Sequence, residues 1–110
     1  MTTSATSLLP SQIESHRAEI DVLCARFGVR RLELFGSAAA GTFDPSRSDF
    51  DFLVDFTEVA GLDAFNQYFG FKEELEKLFG RSVDLVSAGT VTNPYLRQSI
   101  DRNRRLLYAA

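Results

Sequence analysis

Two aspartates one residue apart, Asp49 and Asp51, open the run Asp49-Phe50-Asp51-Phe52-Leu53-Val54-Asp55-Phe56, which apart from Asp55 is otherwise apolar and aromatic. Side chains at i and i+2 of a strand project to the same side, so the two carboxylates stand together a few ångströms apart. Adjacent carboxylates repel unless a cation holds them, and hard oxygen ligands suit Mg²⁺. A solvated strand edge with charge on its outer face is the alternative reading of the pair alone. Upstream, Gly36-Ser37 follows a strand-like segment. A glycine lets backbone approach a phosphate, and exposed N–H groups with a hydroxyl can hold phosphate oxygens, although Gly-Ser by itself reads as a plain turn. Asp84 lies inside a short apolar segment, Val83-Asp84-Leu85-Val86, and alone would be an edge residue. Three carboxylates and a phosphate turn together have one mechanical logic. Two aspartates hold Mg²⁺ on a nucleoside triphosphate, the turn seats the phosphates, and the third aspartate faces the attacking group, the layout for in-line nucleotidyl transfer.

The elements that must position these residues follow from periodicity. Pro10 can start a helix, and Ile13, His16, Ile20, Leu23, Cys24 and Phe27 recur at helical spacing up to Gly28, predicting a helix over 10–27. Residues 31–35 alternate and end at Gly36, predicting a strand running into a turn. The small and polar stretch 38–47 reads as a loop. The run 50–56 predicts a second strand with Phe50, Phe52, Val54 and Phe56 on one face. A second helix is expected over 62–79, with Phe65, Tyr68, Phe69, Phe71, Leu75 and Leu78 as its apolar side and Gly80 closing it. Residues 82–86 predict a third strand, Asn93-Pro94 a third helix to about residue 102, and 106–108 a last strand. The order α-β-β-α-β-α with a final β defines an α/β (α+β) fold, a small mixed β-sheet packed against helices. One domain over 1–110 is expected, with 1–9 as a flexible tail.

Composition narrows the function. The chain has 110 residues, 45% hydrophobic and 25% charged, with 12 basic against 15 acidic residues and a net charge of −3. From that length no separate substrate domain is expected. The charge balance argues against direct nucleic-acid binding through bulk charge. The single cysteine, Cys24, cannot form an internal disulfide, and no zinc-ligand spacing occurs. With no signal-peptide pattern and no membrane-length apolar run, a cytoplasmic protein without membrane contact is expected.

Other residues invite weaker readings. His16 and Cys24 sit on the apolar stripe of the first helix and are expected to be structural. More aromatics crowd the second helix than one face can hide, which would leave a surface suited to a partner. Arg97, Arg102, Arg104 and Arg105 form the one basic cluster, expected near a helix C-terminus from the dipole alone.

The run Gly36-Ser37, Gly41, Ser48-Asp49-Phe50-Asp51 resembles the G-S-x-x-x-G…S-D-x-D signature of the DNA polymerase β nucleotidyltransferase superfamily. More narrowly, Leu34-Phe35-Gly36-Ser37, Ser48 to Val54, Val83-Asp84-Leu85-Val86 and Asn93-Pro94-Tyr95-Leu96-Arg97 follow the pattern of the minimal nucleotidyltransferase antitoxins, paired with HEPN-domain toxins. The resemblance spans about residues 10–108. It implies a polymerase β-like fold, with Gly36, Ser37 and Ser48 at the triphosphate of ATP and Mg²⁺ (or Mn²⁺ in its place) on Asp49, Asp51 and Asp84. It further implies that Asp84 helps deprotonate the acceptor hydroxyl, and that AMP goes to a tyrosine of a HEPN ribonuclease toxin, silencing it. One departure is Ala38-Ala39-Ala40, where family members carry arginines; Arg47 is the candidate to compensate.

The expected function is therefore Mg²⁺-dependent transfer of AMP from ATP to a hydroxyl of a partner protein, by an antitoxin acting on a HEPN-type toxin. The alternatives are a catalytically weak module that neutralises its partner by contact, and a small-molecule nucleotidyltransferase in which a homodimer supplies the second wall of the cleft.

Overall fold

A computed structural model of the chain describes residues 10–36, 50–90, 94, 95, 98 and 104–110. In chain order these form α1 (Ser11–Ser15), α2 (Arg17–Phe27), β1 (Val29–Phe35), β2 (Phe50–Phe56), α3 (Ala64–Phe79), β3 (Val83–Ser87), a 3-10 turn (Ala88–Thr90) and β4 (Arg105–Ala109). The strands make one sheet in the order β3-β2-β1-β4. β1 is antiparallel to both β2 and β4, and β2 is parallel to β3. A parallel pair needs a crossover between its strands, and α3 supplies it.

The strands alternate. Leu32 and Leu34 of β1, Phe50, Phe52 and Val54 of β2, Val83 and Leu85 of β3 and Leu107 of β4 are all buried, in one cluster with Ile13, Ile20, Leu23, Cys24, Phe27, Phe71, Leu75 and Phe79 of the helices. Three phenylalanines, Phe50, Phe52 and Phe79, stack around its centre with ring centroids 5.0–6.2 Å apart. The helices thus cover one face of the sheet. On the other face a second, smaller cluster joins Phe35 and Leu53 with Val86 and Ala88. Among the described residues no helix is long and apolar enough to cross a membrane.

Four local features differ from the pattern-based expectation. The first helix breaks at His16 (φ −113°, ψ 18°). There the ring Nδ1 lies 2.8 Å from the Gln12 carbonyl and the Ser15 hydroxyl donates to the same carbonyl at 3.2 Å, local bonds that compete with helix continuation. The second helix begins at Ala64 rather than residue 62, because Asp63 caps it: its Oδ1 accepts from the Asn66 N–H at 2.7 Å. β1 begins at Val29, directly after Gly28 ends α2 in the left-handed region. The buried residues of α3 are Gln67, Phe71, Leu75 and Phe79, whereas Phe65 and Phe69 are 68% and 50% exposed. Those two rings pack on each other with centroids 4.7 Å apart. Pro94, Tyr95 and Gln98 are helical; the rest of the predicted third helix, the 38–47 loop and the 1–9 tail lie outside the described residues.

Helix side chains reach the backbone of both outer strands. The Tyr68 hydroxyl donates to the Leu85 carbonyl, and the Val83 N–H donates to Glu76 Oε2 at 3.2 Å. On β4, Arg17 Nη2 donates to the Leu107 carbonyl at 3.2 Å. Such contacts blunt the edges against pairing with another chain.

Candidate active site

The face of the sheet opposite the helices carries the predicted site residues among the described ones. Register pairing sets Asp51 opposite Asp84 across the parallel β2–β3 pair, and Phe35 opposite Asp51 across β1–β2. Register partners point to the same face of a sheet with strands about 4.8 Å apart, so the row reads Phe35, Asp51, Asp84. Asp51 is half-buried and Asp84 exposed. The chain leaves β1 through Gly36 at φ +74°, a conformation glycine adopts without a steric cost. A Cβ at Gly36 would run into Asp51 Oδ2. A strand end free of side chain and two carboxylates therefore meet at one corner of the sheet.

Among the described residues no group of three or more His, Cys, Asp or Glu is close enough to hold a metal ion. The Asp51–Asp84 pair offers carboxylate oxygens, a donor chemistry that fits a hard divalent cation such as Mg²⁺ better than a soft one. The structure brings Gly36, Asp51 and Asp84 to one corner of the sheet. Asp49, Ser37, Ser48, Ala38-Ala39-Ala40 and Arg47 lie outside the described residues. His16 and Cys24 belong to the helical layer. His16 packs edge-on against Phe79, with centroids 5.8 Å apart. Cys24 is buried, and burial first, then the negative charge of Asp21, pushes its thiol up to about 12.

The next row of that face holds an acid that alternation alone does not single out. Glu33 pairs with Leu53 on one side and Leu106 on the other and is only 4% exposed. Arg104 grips it with both arms, Nη2 to Oε1 at 2.7 Å and Nε to Oε2 at 2.8 Å, and Arg31 Nε approaches Oε1 at 3.3 Å. Burial alone would raise the Glu33 pKa, but the bonds and charges of Arg104 and Arg31 together outweigh it and hold the carboxyl below its ordinary value. Arg104 is thus a partner of the central strand rather than a helix C-terminal cation. The sequence signal was an acid between Leu32 and Leu34 on a central strand, which burial obliges to find a cation.

At the edge beyond Asp84, Lys72 Nζ bonds Glu76 Oε2 at 2.9 Å, and the same oxygen accepts the Val83 N–H. The Lys72 bond first, then the Val83 bond, keep Glu76 below the usual carboxylate range against the opposing effect of burial.

A mixed sheet covered by helices on one face, with a glycine turn and paired aspartates on the other, is the arrangement of a nucleotidyltransferase. The model of the Nucleotidyltransferase domain matches residues 18–107, and the chain belongs to that family. The protein adenylyltransferase MntA of Thermococcus cleftensis is 41% identical over 78 residues, which cover 71% of this chain and 72% of that protein. The solved structure of a candidate minimal nucleotidyltransferase is 35% identical, with a TM-score of 0.70, covering 86% of this chain and 92% of that one. The fold also matches a chain in the complex of a tri-AMPylated HEPN toxin with an MNT antitoxin from Shewanella oneidensis. There the TM-score is 0.61 at 19% identity, over 88% of this chain and 72% of that one.

Proposed function

We propose that the chain is an antitoxin that transfers AMP from ATP to a tyrosine hydroxyl of a HEPN-type toxin. The observation that carries this reading is the in-register pair Asp51–Asp84 on the face opposite the helices, with Gly36 against it. Like charges set side by side are costly unless a cation uses them. The adenylyltransferase relative and the toxin–antitoxin complex of the same fold supply the acceptor class.

In this reading Asp49, Asp51 and Asp84 hold Mg²⁺, or Mn²⁺ in its place, and Gly36, Ser37 and Ser48 contact the triphosphate. The bound cation would supply charge neutralisation on the phosphates. Gly36, lacking a side chain, leaves the backbone open to a phosphate oxygen. Asp84, the more exposed of the paired acids, faces the acceptor and accepts its proton. The acceptor oxygen bonds to the α-phosphorus, the bond to the β-phosphate oxygen breaks, and pyrophosphate leaves.

The test incubates the protein with a HEPN protein, α-labelled ATP and Mg²⁺. Label should appear on the HEPN protein and fall at least about 100-fold with Asp51→Asn or Asp84→Asn. Neutralisation of the toxin that survives both substitutions without label would instead establish a contact-only antitoxin, and transfer to a small acceptor by the chain alone would establish the third reading.

A further inference from the structure

The flank of α3 that meets the β3 edge carries Tyr68, Lys72 and Glu76 at successive i, i+4 positions, so all three lie on one stripe of the helix. Its two ends are tied to the strand: Tyr68 to the Leu85 carbonyl and Glu76 to the Val83 N–H. These ties bracket Asp84, the residue between them. Lys72, between Tyr68 and Glu76, is therefore level with Asp84, on the side away from Asp51. Its side chain keeps 30% of its exposure. Among the described residues Lys72 is ion-paired to Glu76 and not to Asp84. The Glu76 bond first, against the lowering effect of burial, then the negative charges of Glu76, Tyr68 and Asp84 raise the pKa of the ammonium. Lys72 is thus held by Glu76 at the β3 edge, where the negative charge of Asp84 still acts on it.

Among the described strands β3 is the edge of the sheet, so none of them bars the approach to Asp84 from that side. An acceptor hydroxyl arriving there must develop negative charge next to paired carboxylates, which the field of those acids opposes. A positive group on the far side of Asp84 offsets that field where the charge develops.

We propose that Lys72 is an acceptor-side residue of the transfer reaction, its ammonium holding the acceptor oxygen as it loses its proton, and that Glu76 is the positioning residue that aims it. The proposal rests on the nucleotidyl-transfer reading above. In the step it serves, the acceptor oxygen bonds to the α-phosphorus of ATP and the bond from that phosphorus to the β-bridging oxygen breaks. Pyrophosphate leaves with the electron pair, and the acceptor proton passes through Asp84 to water.

The experiment compares the full-length chain with Lys72→Met, Lys72→Arg, Glu76→Gln and Asp51→Asn, using a HEPN protein and α-labelled ATP. It measures kcat at saturating ATP together with the affinity for a fluorescent ATP analogue. Lys72→Met should lower kcat about 100-fold, the usual scale of an aligned proton-transfer partner, while analogue affinity changes by less than about threefold, a factor worth under 1 kcal/mol. Lys72→Arg should recover much of the rate, and Glu76→Gln should give a smaller loss than Lys72→Met. A purely structural role would not produce that split or the rescue by arginine. Equal rates for the unsubstituted chain and Lys72→Met, with Asp51→Asn inactive, would overturn the assignment of Lys72 alone, as would a loss confined to nucleotide affinity. Absence of transfer by the unsubstituted chain would overturn the underlying reading as well.

Discussion

Gly36 and Asp51 are packed so closely that the glycine hydrogen occupies space no methyl group can enter: a Cβ there would overlap Asp51 Oδ2. The two residues sit at facing ends of neighbouring strands, where β1 ends and β2 begins. The turn and the carboxylate are therefore one mechanical unit, and a change to the first is felt by the second.

Gly36→Ala should cripple transfer without unfolding the chain. Two effects combine: left-handed backbone strain of about 1–2 kcal/mol, and displacement of the Asp51 carboxylate. Gly61 separates them, since it has φ +81° and nothing within 4 Å of an added Cβ. Gly61→Ala should lose similar stability and keep its activity, whereas Gly36→Ala should lose activity about 100-fold through misplacement. Melting curves and label transfer on the two variants decide it; equal activity in both would show that the contact with Asp51 is unimportant.

The Glu33–Arg104 pair should make stability depend on acid. Glu33 has its carboxyl held below the ordinary value of 4.5 in the folded chain. Its contribution is therefore fully present above that value and is lost as pH falls through the lower, folded pKa. The stability gap between the native chain and Glu33→Gln should shrink on acidification below about pH 4.5, the ordinary carboxylate range. Arg104→Ala leaves Glu33 buried with Arg31 as its remaining cation among the described residues, and should cost about 3 kcal/mol at neutral pH. Urea titrations across pH 3–7 measure both.

Gln67 is the buried polar residue that joins three elements. Its Nε2 donates to the carbonyls of Phe27 and Thr57, each at 2.8 Å, at the end of α2 and just past β2. Gln67→Leu keeps the bulk but strands two acceptors, and should cost about 2–3 kcal/mol. A shift in the urea midpoint with an unchanged slope is the expected result.

Cys24 should be chemically silent in the folded protein. A buried thiol pushed up to about 12 supplies almost no thiolate at neutral pH. Ellman's reagent should react with it only after denaturant is added. Rapid labelling under native conditions would mean that α2 detaches readily from the sheet.

Much of the site was legible in the chain because it depends on local periodicity. Asp51 and Asp84 each sit at alternate positions of apolar strands, and Gly36 ends a strand, all of which one-dimensional pattern shows. Alternation could not show that β2 and β3 are parallel neighbours in the register that pairs the two acids. That register is set by the α3 crossover and the burial of Phe50 against Val83. Breaks that depend on side-chain bonds were equally hidden: the interruption at His16 needs the Gln12 carbonyl, and the start of α3 at Ala64 needs the Asp63 cap. Glu33 escaped because its partner, Arg104, is far along the chain and meets it only once β4 joins the sheet. The aromatic excess of α3 was visible in composition, but which rings stay outside, Phe65 and Phe69, follows from the stripe that is buried, Gln67, Phe71, Leu75 and Phe79.

The division of the sheet into a face that packs on the helices and a face that carries the paired acids separates two kinds of genetic damage. Changes to Phe52 or Leu75 strike a packed interior and would lower the amount of protein present. Changes to Asp51 or Asp84 leave that interior alone and, on the proposed function, would yield a stable chain without turnover. If such a chain still occupies its partner, a cell carrying one inactive copy would hold a competitor for the working one, so that loss of chemistry could behave as a dominant trait while loss of folding behaves as a recessive one.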